Sequence, residues 1–150
     1  MKFRGAMLLA AWLLQTSVAA AGEPVVRSNG YVVRYAALAS TGFTAEVARQ
    51  YGITRQANHG VLIINVQRQD AMPGKSAPLP ATATGKATSL MGDSQDLQLR
   101  SAPQSGTQDL LADFEMINSE YLRFDVDVLP QGSSTPIHVH FEQQFYNDRD

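Results

Sequence analysis

Hydrophobic and polar residues alternate along much of the chain, and this alternation predicts a protein built from β-strands. In residues 121–129 every second side chain is apolar, and most of the side chains between them are charged. The apolar positions are Leu122, Phe124, Val126 and Val128, and the charged ones are Arg123, Asp125 and Asp127. Because successive side chains of a strand point to opposite faces, we expect one face of this strand in a core and the other in water.

Further segments show the same period of two or a short apolar run, as is typical of strands. They cover residues 31–35, 61–66, 81–89, 97–100, 110–116 and 137–145. Met91-Gly92-Asp93 predicts a turn between strands 81–89 and 97–100, and Asn118-Ser119 predicts a tight hairpin that joins 110–116 to 121–129. The Pro and Gly residues after Asp70 predict a long exposed loop over residues 70–80.

One short helix is predicted near residues 44–51. Thr44 suits the N-cap position, and Gly52 suits the C-terminal end. The side chains that would then face the body of the protein are Val47, Ala48 and Tyr51. A helix of this length is unstable alone in water, so we expect it to pack against the strands.

About seven to eight short strands with turns between them predict an all-β fold, namely an immunoglobulin-like antiparallel β-sandwich with this one short helix. A small barrel is the alternative architecture. The chain contains no Cys, and its single Trp is Trp12, so the Cys–Trp–Cys core of antibody domains is missing. The likeness to immunoglobulin domains would therefore be one of architecture and not of descent.

The N-terminus predicts an exported protein. Lys2 and Arg4 form a short basic region, and residues 6–14 form an uncharged apolar run. This order is typical of a cleavable signal peptide. The run is too short to span a membrane, which takes roughly 20 apolar residues, so we expect no membrane anchor.

The signal peptide is expected to occupy residues 1–21. Small side chains at Ala19 and Ala21 fit an A-x-A cleavage site, so the cut would fall between Ala21 and Gly22. Cleavage after Ala20 is the alternative, because Val18 is also acceptable at the third position before the cut.

Composition limits the expected cellular location of the protein and the kinds of partner that it binds. Without any Cys, the chain has no site for a lipoprotein anchor and forms no disulfide, so residues 22–150 are expected to fold as a single domain around an apolar core. Removing Lys2 and Arg4 from the 12 basic residues leaves 10 against 14 acidic residues, a net charge of about −4. These charges are scattered. We therefore expect a periplasmic protein that does not bind nucleic acid.

The sharpest chemical feature is His138-x-His140-x-Glu142, because period two places the three side chains on one face of the last strand. Imidazole and carboxylate groups are ligands of zinc and copper. A zinc site normally takes a further ligand, and His59 is the only other His in the chain. The alternative is a solvated strand face that carries two His residues and holds no metal.

No catalytic or cofactor-binding motif occurs in the sequence. The Gly-x-Ser-x-Gly elbow of serine hydrolases is absent. The carboxylate pairs Asp113/Glu115 and Asp125/Asp127 are predicted on outward strand faces, and nothing predicts the cleft that acid catalysis needs. We therefore expect no enzymatic activity and no cofactor.

Five segments give the chain a distinctive order of motifs: residues 30–37, 43–53, 55–60, 122–126 and 139–146. In this order the chain resembles a family of small exported proteins of Gram-negative bacteria that is known only as a domain of unknown function. The resemblance spans nearly all of the mature chain, and the helical segment ending in Tyr51-Gly52-Ile53 is its most distinctive part. It implies a periplasmic β-sandwich, and it implies no activity and no catalytic residue.

Two functions from different classes are consistent with the sequence. The first is a non-enzymatic binding or interaction module for a periplasmic protein or peptide, because sandwiches present loops and strand edges that suit docking. The second is a periplasmic metal-binding protein that uses His138, His140 and Glu142, with His59 as a further ligand. The first is preferred, because the charge is scattered and no polar catalytic cluster is predicted.

Overall fold

The computed structural model describes residues 24–69, 77–102, 108–117 and 119–147. These residues contain nine β-strands, one 3-10 turn (Ser40–Gly42) and one α-helix, α1 (Ala45–Tyr51). The strands are β1 (Val25–Ser28), β2 (Tyr31–Ala39), β3 (His59–Arg68), β4 (Ala81–Ser89), β5 (Ser94–Leu97), β6 (Arg100–Ser101), β7 (Leu110–Glu115), β8 (Tyr121–Pro130) and β9 (Ile137–Gln144). The predicted signal peptide, with its cut between Ala21 and Gly22, lies outside the described residues, as do residues 70–76 of the predicted loop.

The strands form two antiparallel sheets that pack face to face. The five-stranded sheet has the order β1-β2-β3-β7-β6, and the four-stranded sheet has the order β5-β4-β8-β9. Every pairing between these strands is antiparallel. The prediction of an all-β antiparallel sandwich with one short helix is therefore confirmed, and the two separate sheets replace the barrel alternative.

The main core lies between the two sheets and is rich in aromatic side chains. Phe114 of β7 contacts Phe124 of β8 edge to face, with ring centroids 5.0 Å apart, and contacts Phe145 at 5.2 Å. A Cβ atom on Gly60 would overlap the Phe114 ring, so only glycine leaves room for this ring beneath β3. Such tight packing fixes the distance between the sheets.

The helix covers the outer face of the five-stranded sheet, and its ends match the prediction. The Thr44 hydroxyl accepts a hydrogen bond from the Val47 N–H at 3.2 Å, and Gly52 takes the left-handed conformation with φ 68°. Ala48 of the helix packs with Val61 and Leu111 in a second apolar cluster. The short helix is thus stabilised by the sheet beneath it.

Two expectations about strand connections are wrong. The segments 110–116 and 121–129 do not form a hairpin, because β7 belongs to the five-stranded sheet and β8 to the four-stranded sheet. Both strands turn their apolar faces to the same core, so they face each other across it. The expected strand 97–100 is likewise divided, since β5 ends at Leu97 and β6 begins at Arg100 in the other sheet. The turn at residues 91–93 does join β4 to β5, with Gly92 at φ 95°.

Candidate metal centre

The outer face of the four-stranded sheet brings together charged residues from β8 and β9. The antiparallel register places Asp125 opposite His140 and Asp127 opposite His138. Because side chains directly opposite each other in a sheet are close neighbours, each His faces an Asp on the adjacent strand. The period of two that buries Val126 and Val139 also turns these four side chains outward.

The Asp125 carboxylate lies between the two imidazole rings. Its Oδ1 is 2.7 Å from Nδ1 of His140 and 3.4 Å from Nε2 of His138. The two rings are nearly parallel, with centroids 6.3 Å apart. One ligand atom from each of Asp125, His138 and His140 lies within 4.8 Å of the others. All three side chains are between 41% and 57% exposed, so an ion can reach them from solvent.

Asp127 holds His138 in one orientation. Nδ1 of His138 is 2.9 Å from Oδ1 of Asp127. Because an ionised carboxylate only accepts hydrogen bonds, Nδ1 carries the proton, and Nε2 keeps the lone pair in the neutral ring. This carboxylate–imidazole arrangement is the one that typically orients metal-binding His residues.

The charges at this surface shift two pKa values in opposite directions. The hydrogen bond with His140 lowers the pKa of Asp125, against a weaker effect of burial. The hydrogen bond to Asp127 raises the pKa of His138, and the negative charges of Asp127 and Asp125 act in the same direction against desolvation. Both shifts favour an ionised Asp125 and a protonated His138. A metal ion that binds His138 would therefore displace the proton of this imidazole.

The structure brings together two of the residues predicted to bind metal and separates the other two from them. His138 and His140 lie in the cluster, but Glu142 accepts a hydrogen bond from Nε of Arg123 at 2.8 Å. His59 starts β3 in the other sheet, where its Nδ1 lies 3.2 Å from the Ala57 carbonyl oxygen. Among the described residues, the group of ligand atoms that includes His138 and His140 takes Asp125 as its third member.

Asp125 and Asp127 were missed as site residues because the prediction considered one strand at a time. On β8 alone they are typical solvated acids at period two. The signal that identifies them is the short turn 131–136, which predicts that β8 and β9 pair and that their outward faces meet. Once the strands are paired, both Asp residues face a His.

Comparisons with known proteins identify the family of the chain and two proteins of similar fold. A family model described as domain of unknown function DUF4426 matches residues 25–148. No curated protein matches the chain significantly. Within the residues that the structure describes, no helix is long and apolar enough to cross a membrane.

Two solved structures are similar to this one over most of its length. A DUF4426 family protein, PA0388 from Pseudomonas aeruginosa PAO1, has 26% sequence identity and a TM-score of 0.69, and the alignment covers 83% of this chain and 95% of that one. FetP of uropathogenic Escherichia coli strain F11, expressed in the periplasm of E. coli, has 12% identity and a TM-score of 0.54, with 83% and 94% covered. The second likeness concerns the fold alone.

Proposed function

This chain belongs to the DUF4426 family of domains of unknown function, and we propose that it binds a first-row transition-metal ion. We further propose that it does so in the periplasm. The observation that carries the proposal is the group formed by Asp125, His138 and His140, whose ligand atoms lie within 4.8 Å of one another. We propose a binding role without catalysis, because no catalytic motif accompanies these ligands.

The donor set favours zinc or copper over calcium or magnesium. Two imidazole nitrogens and one carboxylate oxygen suit Zn²⁺ and Cu²⁺, whereas Ca²⁺ and Mg²⁺ prefer oxygen ligands alone. Three protein ligands leave at least one position of a four-coordinate ion open. The Asp127 hydrogen bond supports the same assignment, because it presents Nε2 of His138 on the side where Asp125 lies.

The periplasmic location is supported by the N-terminal sequence. Residues 1–21 have the basic, apolar and small-residue zones of a cleavable signal peptide. Fractionation of cells that express the full chain, with detection of the processed N-terminus, tests the location directly, and an unprocessed cytoplasmic product would contradict it.

Calorimetric titration of the mature protein with Zn²⁺ and Cu²⁺ tests the metal proposal. We expect one ion per chain and a loss of affinity of at least about a hundredfold in the His138→Ala/His140→Ala double variant. The matched control is His59→Ala, which removes an imidazole from the other sheet and is expected to bind like the wild type. Equal affinity of the double variant and the wild type would overturn the proposal.

A second candidate function, docking of an extended peptide, is favoured by one feature of β9. This strand ends the four-stranded sheet and has 8 residues, whereas the other edge strands β1, β5 and β6 have 4, 4 and 2. A long edge offers backbone groups for strand addition. A photo-crosslinker at Glu142 on β9 should then capture a periplasmic protein, and one at Asp96 on β5 should not. The same products from both positions would count against this role.

A further inference from the structure

A surface cavity of about 480 Å³ adjoins the cluster of Asp125, His138 and His140 on the outer face of the four-stranded sheet. The cavity and the cluster share Asp125 and His138, and Asp127 also lines the cavity. Thr84 and Lys86 of β4 form the floor, and Asp96 of β5 lies on the far side. This volume falls in the range of roughly 300–1,000 Å³ that is usual for small-molecule sites.

Lys86 provides a positively charged group at the cavity. The register places it between Asp96 on β5 and Asp125 on β8. Within the part of the chain that the structure describes, Lys86 nevertheless takes part in no ion pair. Asp125 is instead directed toward the two His residues. The ammonium group can therefore contact a ligand that enters the cavity.

The balance of charge in the cavity determines which ligand fits. Three carboxylates (Asp96, Asp125 and Asp127) against Lys86 give a net charge of about −2 before the His residues are counted. An anion alone would be repelled by this surface. A bound divalent ion cancels the excess and presents an open coordination position next to the cavity. An anion that also donates oxygen to the metal is then attracted at two points.

We propose that this cavity binds a small polycarboxylate together with the metal ion, with one carboxylate coordinated to the metal and another contacting Lys86. The inference rests on the proposed metal-binding function and specifies its ligand as a metal chelate. It requires the metal ion, since the metal-free surface repels the anion. Lys86 acts on the anion and not on the metal itself.

Equilibrium dialysis with radiolabelled citrate tests this requirement. We expect the zinc-loaded protein to retain one citrate per chain and the metal-free protein to retain none. The Lys86→Gln variant should still bind zinc but should bind citrate at least about tenfold more weakly. Acetate, which has a single carboxylate, should bind weakly and should not respond to this substitution.

The matched control is Arg27→Gln, which removes one positive charge from β1 of the other sheet and is expected to leave citrate binding unchanged. Citrate that removes zinc without being retained would overturn the inference while the metal proposal stands, and so would unchanged citrate affinity in Lys86→Gln. If the wild-type protein binds no zinc or copper at all, both proposals fail, so the two failures can be distinguished.

Discussion

The two outer faces of the sandwich differ in what covers them. On the five-stranded sheet, α1 packs over the outward side chains of β3 and β7, and Val61 and Leu111 are fully buried there. On the four-stranded sheet, the outward side chains of β8 and β9 remain exposed and carry Asp125, His138 and His140. The fold thus uses one outer face for stability and leaves the other available for binding, and the substitutions below are chosen to separate these two roles.

The largest expected effect is on the covered face. Leu111→Ala removes a fully buried side chain beneath the helix and should lower the free energy of unfolding by about 2–5 kcal/mol. Asp127→Ala on the exposed face is the control and should change it by less than about 0.5 kcal/mol. Urea unfolding followed by circular dichroism measures both, and similar losses for the two variants would contradict the division of roles.

A middle-sized effect is expected on metal binding at the exposed face. Asp125→Asn removes the carboxylate that lies between the two imidazole rings and should weaken zinc binding by roughly 10–100-fold. The control is Glu142→Gln on the neighbouring strand β9, because Glu142 pairs with Arg123 and lies outside the ligand group. Calorimetry should give it near wild-type affinity. A larger loss in Glu142→Gln than in Asp125→Asn would restore the ligand set that the sequence predicted.

The smallest effect concerns protonation of the metal-free protein. NMR titration should give His138 a pKa above its usual value, because its ring donates to Asp127. Asp127→Asn should return this pKa toward about 6.5. A raised pKa in the folded state stabilises the protein below the pKa of the unfolded chain, and this gain is lost as the pH rises through the folded-state pKa. Because the pair is exposed, the associated change in stability is small. An unchanged His138 pKa in the variant would contradict the assigned hydrogen bond.

Most strand positions and their burial could be predicted from the sequence because each depends on local alternation, although β1 was not predicted and the segment 97–100 is divided between the two sheets. The apolar run in residues 61–66 predicted strand β3, and the alternation in residues 121–129 predicted that β8 has one exposed face. The helix followed from Thr44 and Gly52, whose capping roles are also local. Where a few neighbouring residues determine a structure, the pattern is sufficient to predict it.

Strand partners could not be predicted in the same way. The alternation in 110–116 and 121–129 is compatible with a hairpin and equally with two strands that face each other across a core. The strand pairing and the packing of Phe114 against Phe124 across the core show the second arrangement. Asp125 was missed for a different reason: the short turn 131–136 indicates that β8 pairs with β9, but each strand was interpreted alone.

The alternation of the chain between the two sheets has a consequence for folding. The chain forms β1 to β3 in one sheet, β4 and β5 in the other, returns for β6 and β7, and ends with β8 and β9. Neither sheet is formed by one continuous stretch of the chain. Strand β4 can pair with β8 only when the chain through β8 is present. Because pairings this distant along the chain slow folding, we expect a folding time on the scale of milliseconds to seconds. A fragment that ends before Tyr121 would lack both strands that carry Asp125, His138 and His140 and would retain only the β4–β5 hairpin of the second sheet.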